Sequence, residues 1–305
     1  MTAVTVLLAK SRSRTAQVRR QQALLPWGFL APSVVILGLM TIYPLVYAVV
    51  LSFRSGSFVS IDQWAGVQNY DGLVHDGLFG NAVRFSAIFT FATVALTFLL
   101  GLGLALGVNR FRRGGWLLRM ALLMPWVVPS VVSVLAWRWL VSDNGALVNR
   151  VLGLFGIAPV AFLASPFWAT VMVILLRVWR TFPFMFITLL AARQGVPPEL
   201  YEAAALDSAG ALRTFWHITL PQLSRVAIIG GLLVAIWSFN DFETIFLLTQ
   251  GGPSNATYNV VVYAYYQAFF GGDVGLAAAA GVVGLLLLIV LAVVVLRLLA
   301  RVERT

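Results

Sequence analysis

Six long apolar stretches constrain this chain more than any other feature of its sequence. Hydrophobic residues occupy 60% of the 305 positions, whereas charged residues occupy only 10%. A helix that crosses the roughly 30 Å hydrocarbon core of a bilayer needs about 20 mostly apolar residues. Six segments reach that length: 27–51, 82–108, 117–141, 166–192, 226–248 and 274–299. The sequence therefore predicts an all-α integral membrane protein with six transmembrane helices.

The positions of the basic residues predict how these helices are oriented. Of the 21 Lys and Arg residues, most precede the first segment, lie in or beside the second and fourth connections, or follow the last segment. Because basic loops are retained in the cytoplasm, both termini are expected there. The predicted division is a basic cytoplasmic segment 1–26, a single transmembrane domain 27–299 and a cytoplasmic tail 300–305. Since the charge is spread over several loops, the expected partner is the lipid bilayer and not a nucleic acid.

The reactive residues that enzymes and metal sites use are scarce. The chain has no cysteine, which excludes disulfides, thiolate metal sites and Cys nucleophiles. His75 and His217 are the only histidines, and the predicted topology puts them on opposite sides of the membrane, so no paired-histidine metal site is expected. The GxxxxGK[ST] phosphate loop is also absent. We therefore expect no metal, no catalytic residue and no enzymatic activity in this chain.

Segment 202–221, EAAALDSAGALRTFWHITLP, is a polar island between two apolar stretches. It lies in connection 193–224, the only sizeable cytoplasmic loop of the predicted topology. Its Ala-rich beginning has strong helix propensity, Gly210 provides a bend, and apolar residues such as Leu212 and Trp216 follow. This pattern is typical of a helix–turn–helix. Its apolar face fits either a docking surface for another protein or an amphipathic loop lying on the membrane.

Charged side chains inside the fourth segment indicate a functional interior. Arg177 and Arg180 fall within it, and charged groups at that depth usually face protein or an aqueous cavity. Arg177, Thr181 and Phe184 share one helix face, and that stripe suits a polyhydroxylated ligand. An interface salt bridge or snorkelling explains the arginines equally simply. Pro183 is expected to bend this helix, and discontinuous helices often hold transporter substrate sites.

The fifth segment carries a second polar group. Ser238, Asn240, Asp241 and Glu243 follow one another within one and a half helical turns. Because unpaired acids are costly in a membrane, these side chains are expected to face water, a partner subunit or a ligand. Arg177, Asn240 and Asp241 are therefore candidate substrate-binding residues.

The polar island closely resembles the cytoplasmic signature of ABC importer permeases. The signature opens with Glu-Ala-Ala and closes with Ile, one residue and Leu-Pro; here Glu202-Ala203-Ala204 and Ile218-Thr219-Leu220-Pro221 stand at that spacing. Ser208 occupies the position where the signature has Gly. The stretch Leu-Thr-Gln-Gly-Gly-Pro at 248–253, with Gly66-Val67-Gln68-Asn69-Tyr70, is similar to the carbohydrate-uptake branch and its maltose-permease-like subunits.

The resemblance implies a type I ABC importer transmembrane domain and a set of partners. Those partners are a second homologous permease subunit, two copies of a cytoplasmic ATPase subunit that bind ATP and Mg, an extracytoplasmic solute-binding protein and a carbohydrate. The expected location is the bacterial or archaeal inner membrane. The residues that the resemblance assigns to ATPase coupling are Glu202, Ala203, Ala204, Asp207, Ser208, Gly210, Ile218, Leu220 and Pro221. It assigns Thr181, Phe184 and Ser238 to the sugar pocket.

Other functions remain open at this stage. The same architecture serves other solutes, such as a polyol, an amino acid or glycerol phosphate, and Arg177 favours an anionic headgroup because Arg binds phosphate bidentately. An ion-coupled secondary transporter would show two inverted repeats, and none is visible in the sequence. A membrane enzyme would need a reactive cluster that the chain lacks.

Overall fold

The computed structural model describes residues 30–57, 60–108, 115–142 and 145–302. The predicted basic segment 1–26, most of the second connection and the last three residues of the predicted tail lie outside the described residues. The described part separates into two units, up to Leu51 and from Ser52 onward. The first unit contributes helix α1, Leu30–Leu51, a helix of 22 residues.

Five helices of the described part are long and apolar enough to cross a membrane, and a sixth crossing exists if one bent pair counts as a span. The five are α1, α3 (Gly77–Val108), α7 (Pro166–Gln194), the continuous helix Ala211–Phe239 and α13 (Val274–Val302). Each of these five helices overlaps one of the predicted segments. The structure thus agrees with a helical, multi-span chain, and the number of spans depends on the third segment.

The third segment, predicted as one span over 117–141, is bent sharply. It consists of α4 (Gly115–Val127) and α5 (Ser130–Val141), whose axes differ by 92°. Pro129 is the N-cap of α5, with φ −52° and ψ 137°. Proline lacks an N–H and disfavours helical geometry in the residue before it, so the helix ends at Val127 and restarts after Pro129.

The fifth segment also differs from its prediction over 226–248. The helix begins earlier, as α9 (Ala211–Thr214), a π-helical turn (Phe215–Thr219) and α10 (Leu220–Phe239). It stops at Asn240 and resumes as α11 (Glu243–Thr249). In contrast, α7 remains helical through Pro183. The breaks between helices lie before α5 and after α10.

Shorter elements connect the long helices. They are β1 (Arg54–Gly56), β2 (Ile61–Trp64), α2 (Gln68–His75), α6 (Leu147–Leu154), α8 (Pro198–Leu206) and α12 (Val260–Phe269). β1 and β2 pair antiparallel, with Arg54 opposite Trp64 and a shift in register after Ser55. Because it consists of β-strands, this hairpin differs from the all-α prediction.

Helices α3 and α7 pack closely through a glycine. A Cβ added at Gly101 of α3 would lie 2.9 Å from Met185 Cγ and 3.0 Å from the backbone nitrogen of Phe186. Met185 and Phe186, both on α7, are completely buried. A small residue at such a contact lets two helix backbones approach, which is how helices associate in a membrane.

A partly buried hydrogen bond links α12 to the start of α3. Tyr263 Oη donates to Asp76 Oδ2 over 2.6 Å, while Asp76 Oδ1 accepts from the backbone nitrogen of Leu78 in the first turn of α3. Burial, followed by the bond to Asp76, raises the pKa of Tyr263. The phenol therefore stays protonated and keeps donating to the carboxylate.

Candidate functional site

The polar residues of the fifth segment lie at the break between α10 and α11. Ser238 is completely buried near the end of α10, and Asn240 forms its C-cap. Asp241 Oδ1 accepts from the backbone nitrogen of Thr244 over 3.0 Å, which satisfies a free N–H at the start of α11. The side chain of Asp241 therefore shapes the break as well as carrying charge.

Asp241 also forms an ion pair with Arg177, which lies near the middle of α7. Arg177 Nη1 lies 3.2 Å from Asp241 Oδ2, and the two side chains are only 12% and 4% exposed. The backbone oxygen of Asp241 accepts from Asn259 Nδ2 over 2.9 Å, and Asn259 Oδ1 caps α12 through Val262 N. The ion pair thus joins α7 to the break and, through Asn259, to α12.

This pair bears on the two sequence-based interpretations of Arg177, a salt bridge and a ligand contact. A salt bridge to Asp241 is present. The Nε atom of Arg177 is buried without a hydrogen-bond partner among the described residues. Arg177 therefore keeps hydrogen-bonding capacity beyond the salt bridge.

Two adjacent cavities open beside the ion pair. The larger has a volume of 420 Å³ and is lined by Arg177, Ile236, Trp237, Asn240, Asp241, Phe242 and Glu243. The smaller has a volume of 240 Å³ and is lined by Pro125, Trp126, Arg177, Arg180, Thr181 and Trp237. Both include Arg177 and Trp237, so these two residues separate the cavities.

The cavities lie beside the middle of a long helix, α7. Arg180 is 14 residues from each end of α7, which runs from Pro166 to Gln194. Its Nη1 donates to Thr244 Oγ1 over 3.3 Å. Phe184 contacts both indoles, with ring centroids 4.9 Å from Trp237 and 6.1 Å from Trp126. Aromatic surface and hydrogen-bonding groups therefore meet in one place.

The structure brings most of the predicted substrate residues together. Arg177, Asn240 and Asp241 line the larger cavity, Arg177 and Thr181 line the smaller, and Phe184 packs behind the indoles. Ser238 is buried but lines neither cavity, and its Oγ has no hydrogen-bond partner among the described residues.

Seven lining residues lie outside the candidate set: Pro125, Trp126, Arg180, Ile236, Trp237, Phe242 and Glu243. The sequence offers a signal for Arg180, because an ionisable side chain within an apolar span usually faces protein or an aqueous cavity. Trp126 and Trp237 are two of five tryptophans, with Trp137, Trp139 and Trp168, that could stack on a sugar ring, although interfacial or packing roles explain most of these residues equally simply. Among the described residues, no group of three or more His, Asp and Glu side chains is arranged to hold a metal ion.

The polar island folds as the predicted helix–turn–helix. α8 ends at Leu206, and α9 begins after Gly210, which has extended φ −64° and ψ 160°. Ser208 has φ 53°, the left-handed conformation that favours glycine, and Ala209 N donates to Ala204 O over 2.9 Å. The turn therefore has its left-handed residue at Ser208, and Gly210 is the N-cap residue of α9.

The turn presents an apolar surface beside a carboxylate. Leu206, Leu212 and Trp216 are 87%, 73% and 57% exposed, and Glu202 is exposed as well. We name these four residues the loop surface. Of the other residues assigned to coupling, Ala203, Asp207, Ser208, Gly210 and Pro221 are exposed, Ile218 and Leu220 are half-buried, and Ala204 is buried.

Contacts behind the loop surface hold it in place. Tyr201 Oη lies 3.2 Å from the hydroxyl of buried Thr219, and the guanidinium of Arg193 lies 4.0 Å from the centre of the Tyr201 ring. These contacts link α8 to the end of α7 and the start of α10. The loop surface is therefore attached to the two helices that meet at the ion pair.

Comparisons with known proteins agree with this architecture. Residues 82–305 match the family described as binding-protein-dependent transport system inner membrane component. The trehalose/maltose transport system permease protein MalF of Thermococcus litoralis is 32% identical over 87% of this chain and 90% of its own length. The sulfoquinovosyl glycerol transport system permease protein SmoG of Agrobacterium fabrum is 32% identical over 83% of each chain.

A solved structure shares the fold. A bacterial ABC transporter involved in the import of the acidic polysaccharide alginate superposes with a TM-score of 0.81, covering 94% of this chain and 99% of that chain. The two sequences are 22% identical, so this likeness concerns the fold alone.

The ion pair gives a first prediction. Arg177→Met leaves Asp241 buried and unpaired, and Asp241→Asn leaves Arg177 likewise, so each change is expected to lower the free energy of unfolding by about 3 to 5 kcal/mol. The double variant removes both charges and is expected to cost much less than the sum. Unfolding in mixed micelles, analysed as a double-mutant cycle, measures this coupling. Additive single effects would show that the two side chains do not interact.

The turn gives a second prediction. Ser208→Gly relieves the left-handed conformation and is expected to stabilise the turn by about 1 kcal/mol, whereas Ser208→Val destabilises it. Amide hydrogen exchange across 203–214 measures this local stability. Ala209→Gly is the matched control, since Ala209 does not have positive φ; equal exchange in the two glycine variants would contradict the assigned geometry.

Proposed function

This chain belongs to the family of binding-protein-dependent transport system inner membrane components, and we propose that it forms half of the translocation pathway of an ATP-driven sugar importer. It is the permease subunit of such an importer. The proposed substrate is a sugar, and the proposed route passes through the two cavities beside Arg177 and Asp241. The relatives named above import sugars or sugar derivatives, which supports this substrate class.

The proposal rests on the side chains that line these two cavities. A sugar ring offers apolar C–H faces and polar hydroxyl edges, so it binds where aromatic rings and hydrogen-bonding groups converge. Trp126 and Trp237 provide the rings. Asn240 and Glu243 offer amide and carboxylate partners for hydroxyls. Thr181 adds a hydroxyl at the smaller cavity.

The proposed energy source is a pair of partner ATPase subunits, which bind ATP and Mg. They would seat against the loop surface, where exposed Leu206, Leu212 and Trp216 provide the apolar area that docking interfaces use. Glu202 would pair with a basic residue of the ATPase. An extracytoplasmic binding protein would deliver the sugar from the opposite side, and a second homologous permease would form the other half of the pathway.

The helices give a mechanical reason for coupling. One continuous helix of 29 residues, Ala211–Phe239, leads from the loop surface to the break at Asn240, a length of roughly 43 Å. α7 leads from Arg177 to the other side of the same loop. Movement of the docked loop would therefore displace both walls of the cavity together, as alternating access requires. In the proposed arrangement both termini lie in the cytoplasm and the chain lies in the inner membrane.

A charge reversal tests the proposal in the reconstituted complex. Wild-type proteoliposomes are expected to take up sugar only with ATP and the binding protein. Glu202→Lys is expected to lower both uptake and binding-protein-stimulated ATPase activity by more than about tenfold, because losing one partner of an interface charge pair costs about 2 to 5 kcal/mol. Sugar uptake and phosphate release are the measurements.

The matched control is Asp71→Lys, the same change at an exposed residue of α2. Both Asp71 and Glu202 lie on the surface, so insertion of either variant into the membrane is expected to be normal. Wild-type stimulation in Glu202→Lys would remove Glu202 from the coupling interface. Absence of ATP-dependent sugar uptake in the wild-type complex would refute the importer assignment.

A further inference from the structure

The two cavities differ in charge. The smaller is lined by two guanidinium groups, those of Arg177 and Arg180, and by no carboxylate. The larger contains Asp241 and Glu243 together with Arg177. Because Arg177 is already paired with Asp241, Arg180 is the guanidinium beside the smaller cavity that has no ion pair within 4 Å among the described residues, and Asp241 and Glu243 act on its charge only from a longer distance. A ligand that spans both cavities therefore meets a cationic end and a hydrogen-bonding, acidic end.

Arg180 makes no ion pair among the described residues. Its hydrogen-bond partner there is the neutral hydroxyl of Thr244, at 3.3 Å, and its side chain is half-buried. A guanidinium at the centre of a membrane-spanning helix is costly unless an anion or water compensates it. Asp241 and Glu243 attract this guanidinium from a distance, so the position can still bind a negative group that contacts it directly.

Arg177 adds a second donor to the same cavity. Its Nη1 is engaged by Asp241, but its Nε is buried without a hydrogen-bond partner in the described part of the chain. An anionic group in the smaller cavity would lie beside the guanidinium groups of both Arg180 and Arg177, and charge-assisted hydrogen bonds to such groups are roughly twice as strong as neutral ones.

We propose that the transported sugar bears an acidic group, a carboxylate, sulfonate or phosphate, which binds Arg180 and Arg177 in the smaller cavity. The inference rests on the proposed function and names the substrate class of the same site. The sugar ring lies against Trp237, the aromatic residue that borders both cavities, and its hydroxyls bind Asn240 and Glu243 in the larger cavity. A neutral sugar would use the ring and hydroxyl contacts but leave Arg180 without a direct ion pair.

Matched glycosides test the proposal. The complete importer in nanodiscs is titrated with methyl glucoside, methyl glucuronide, methyl 6-sulfoquinovoside and methyl glucoside 6-phosphate, and saturation-transfer difference NMR gives each Kd. At least one acidic glycoside is expected to bind about 10- to 100-fold more tightly than methyl glucoside, the size of one hydrogen bond to a charged group. The three acidic probes distinguish carboxylate, sulfonate and phosphate.

Variants assign the preference to its residue. Arg180→Gln is expected to abolish the difference between acidic and neutral glycosides, while Arg180→Lys retains part of it. Arg150→Gln removes the same charge from exposed α6 and is expected to change nothing. Raising the ionic strength should weaken binding of the acidic probes alone, because salt screens the charge pair.

The outcomes separate the two proposals. Equal or tighter binding of methyl glucoside, with sugar uptake intact, overturns the acidic-sugar inference and leaves the importer assignment standing. An acidic preference that survives Arg180→Gln also overturns it. A loss of complex stability in Arg180→Gln without any change in ligand preference would assign Arg180 to an acid of the partner permease. Absence of binding and of uptake for every probe refutes both proposals.

Discussion

The buried ion pair between Arg177 and Asp241 is the interaction on which the rest of the site depends. It joins the middle of α7 to the break after α10, and the same carboxylate begins α11 through Thr244 N. The backbone of Asp241 binds Asn259, which caps α12. Since breaking a buried pair leaves one charge uncompensated, the loss of either partner alone is expected to disturb the contacts among these four helices. The cavities, which share Arg177, are defined by this arrangement.

The same two helices connect the ion pair to the loop surface. α7 runs from Arg177 to the beginning of the loop, and the helix Ala211–Phe239 returns from the loop to the break. Tyr201 braces the loop against both, through Arg193 and Thr219. Movement of Leu206, Leu212 and Trp216 is therefore expected to displace both helices and, with them, the walls of the proposed substrate cavities. The proposed energy transfer needs no other connection.

Hydrophobic pattern predicted the long helices and the helix–turn–helix because both depend on local composition. It did not predict the 92° bend at Pro129 or the end of α10 at Phe239, since an apolar run conceals where backbone geometry changes. The candidate residues on α7 and at the break were identified because charge is rare in a membrane. Their pairing, and the lining role of Trp126 and Trp237, depend on contacts between distant segments. The positive φ of Ser208 also could not be predicted, because the sequence does not reveal the backbone conformation of a single serine.

Solvent access at the break tests the central claim, that the α10–α11 break lines the transport route, most directly. The chain has no cysteine, so Asn240→Cys introduces a single thiol at the larger cavity, and Leu286→Cys places one on the exposed apolar face of α13. In the reconstituted importer, a water-soluble thiol reagent is expected to label Cys at 240 at a rate that changes with ATP and falls when substrate is added, and to leave the α13 control unlabelled. Equal, ATP-independent protection of both thiols would contradict the claim.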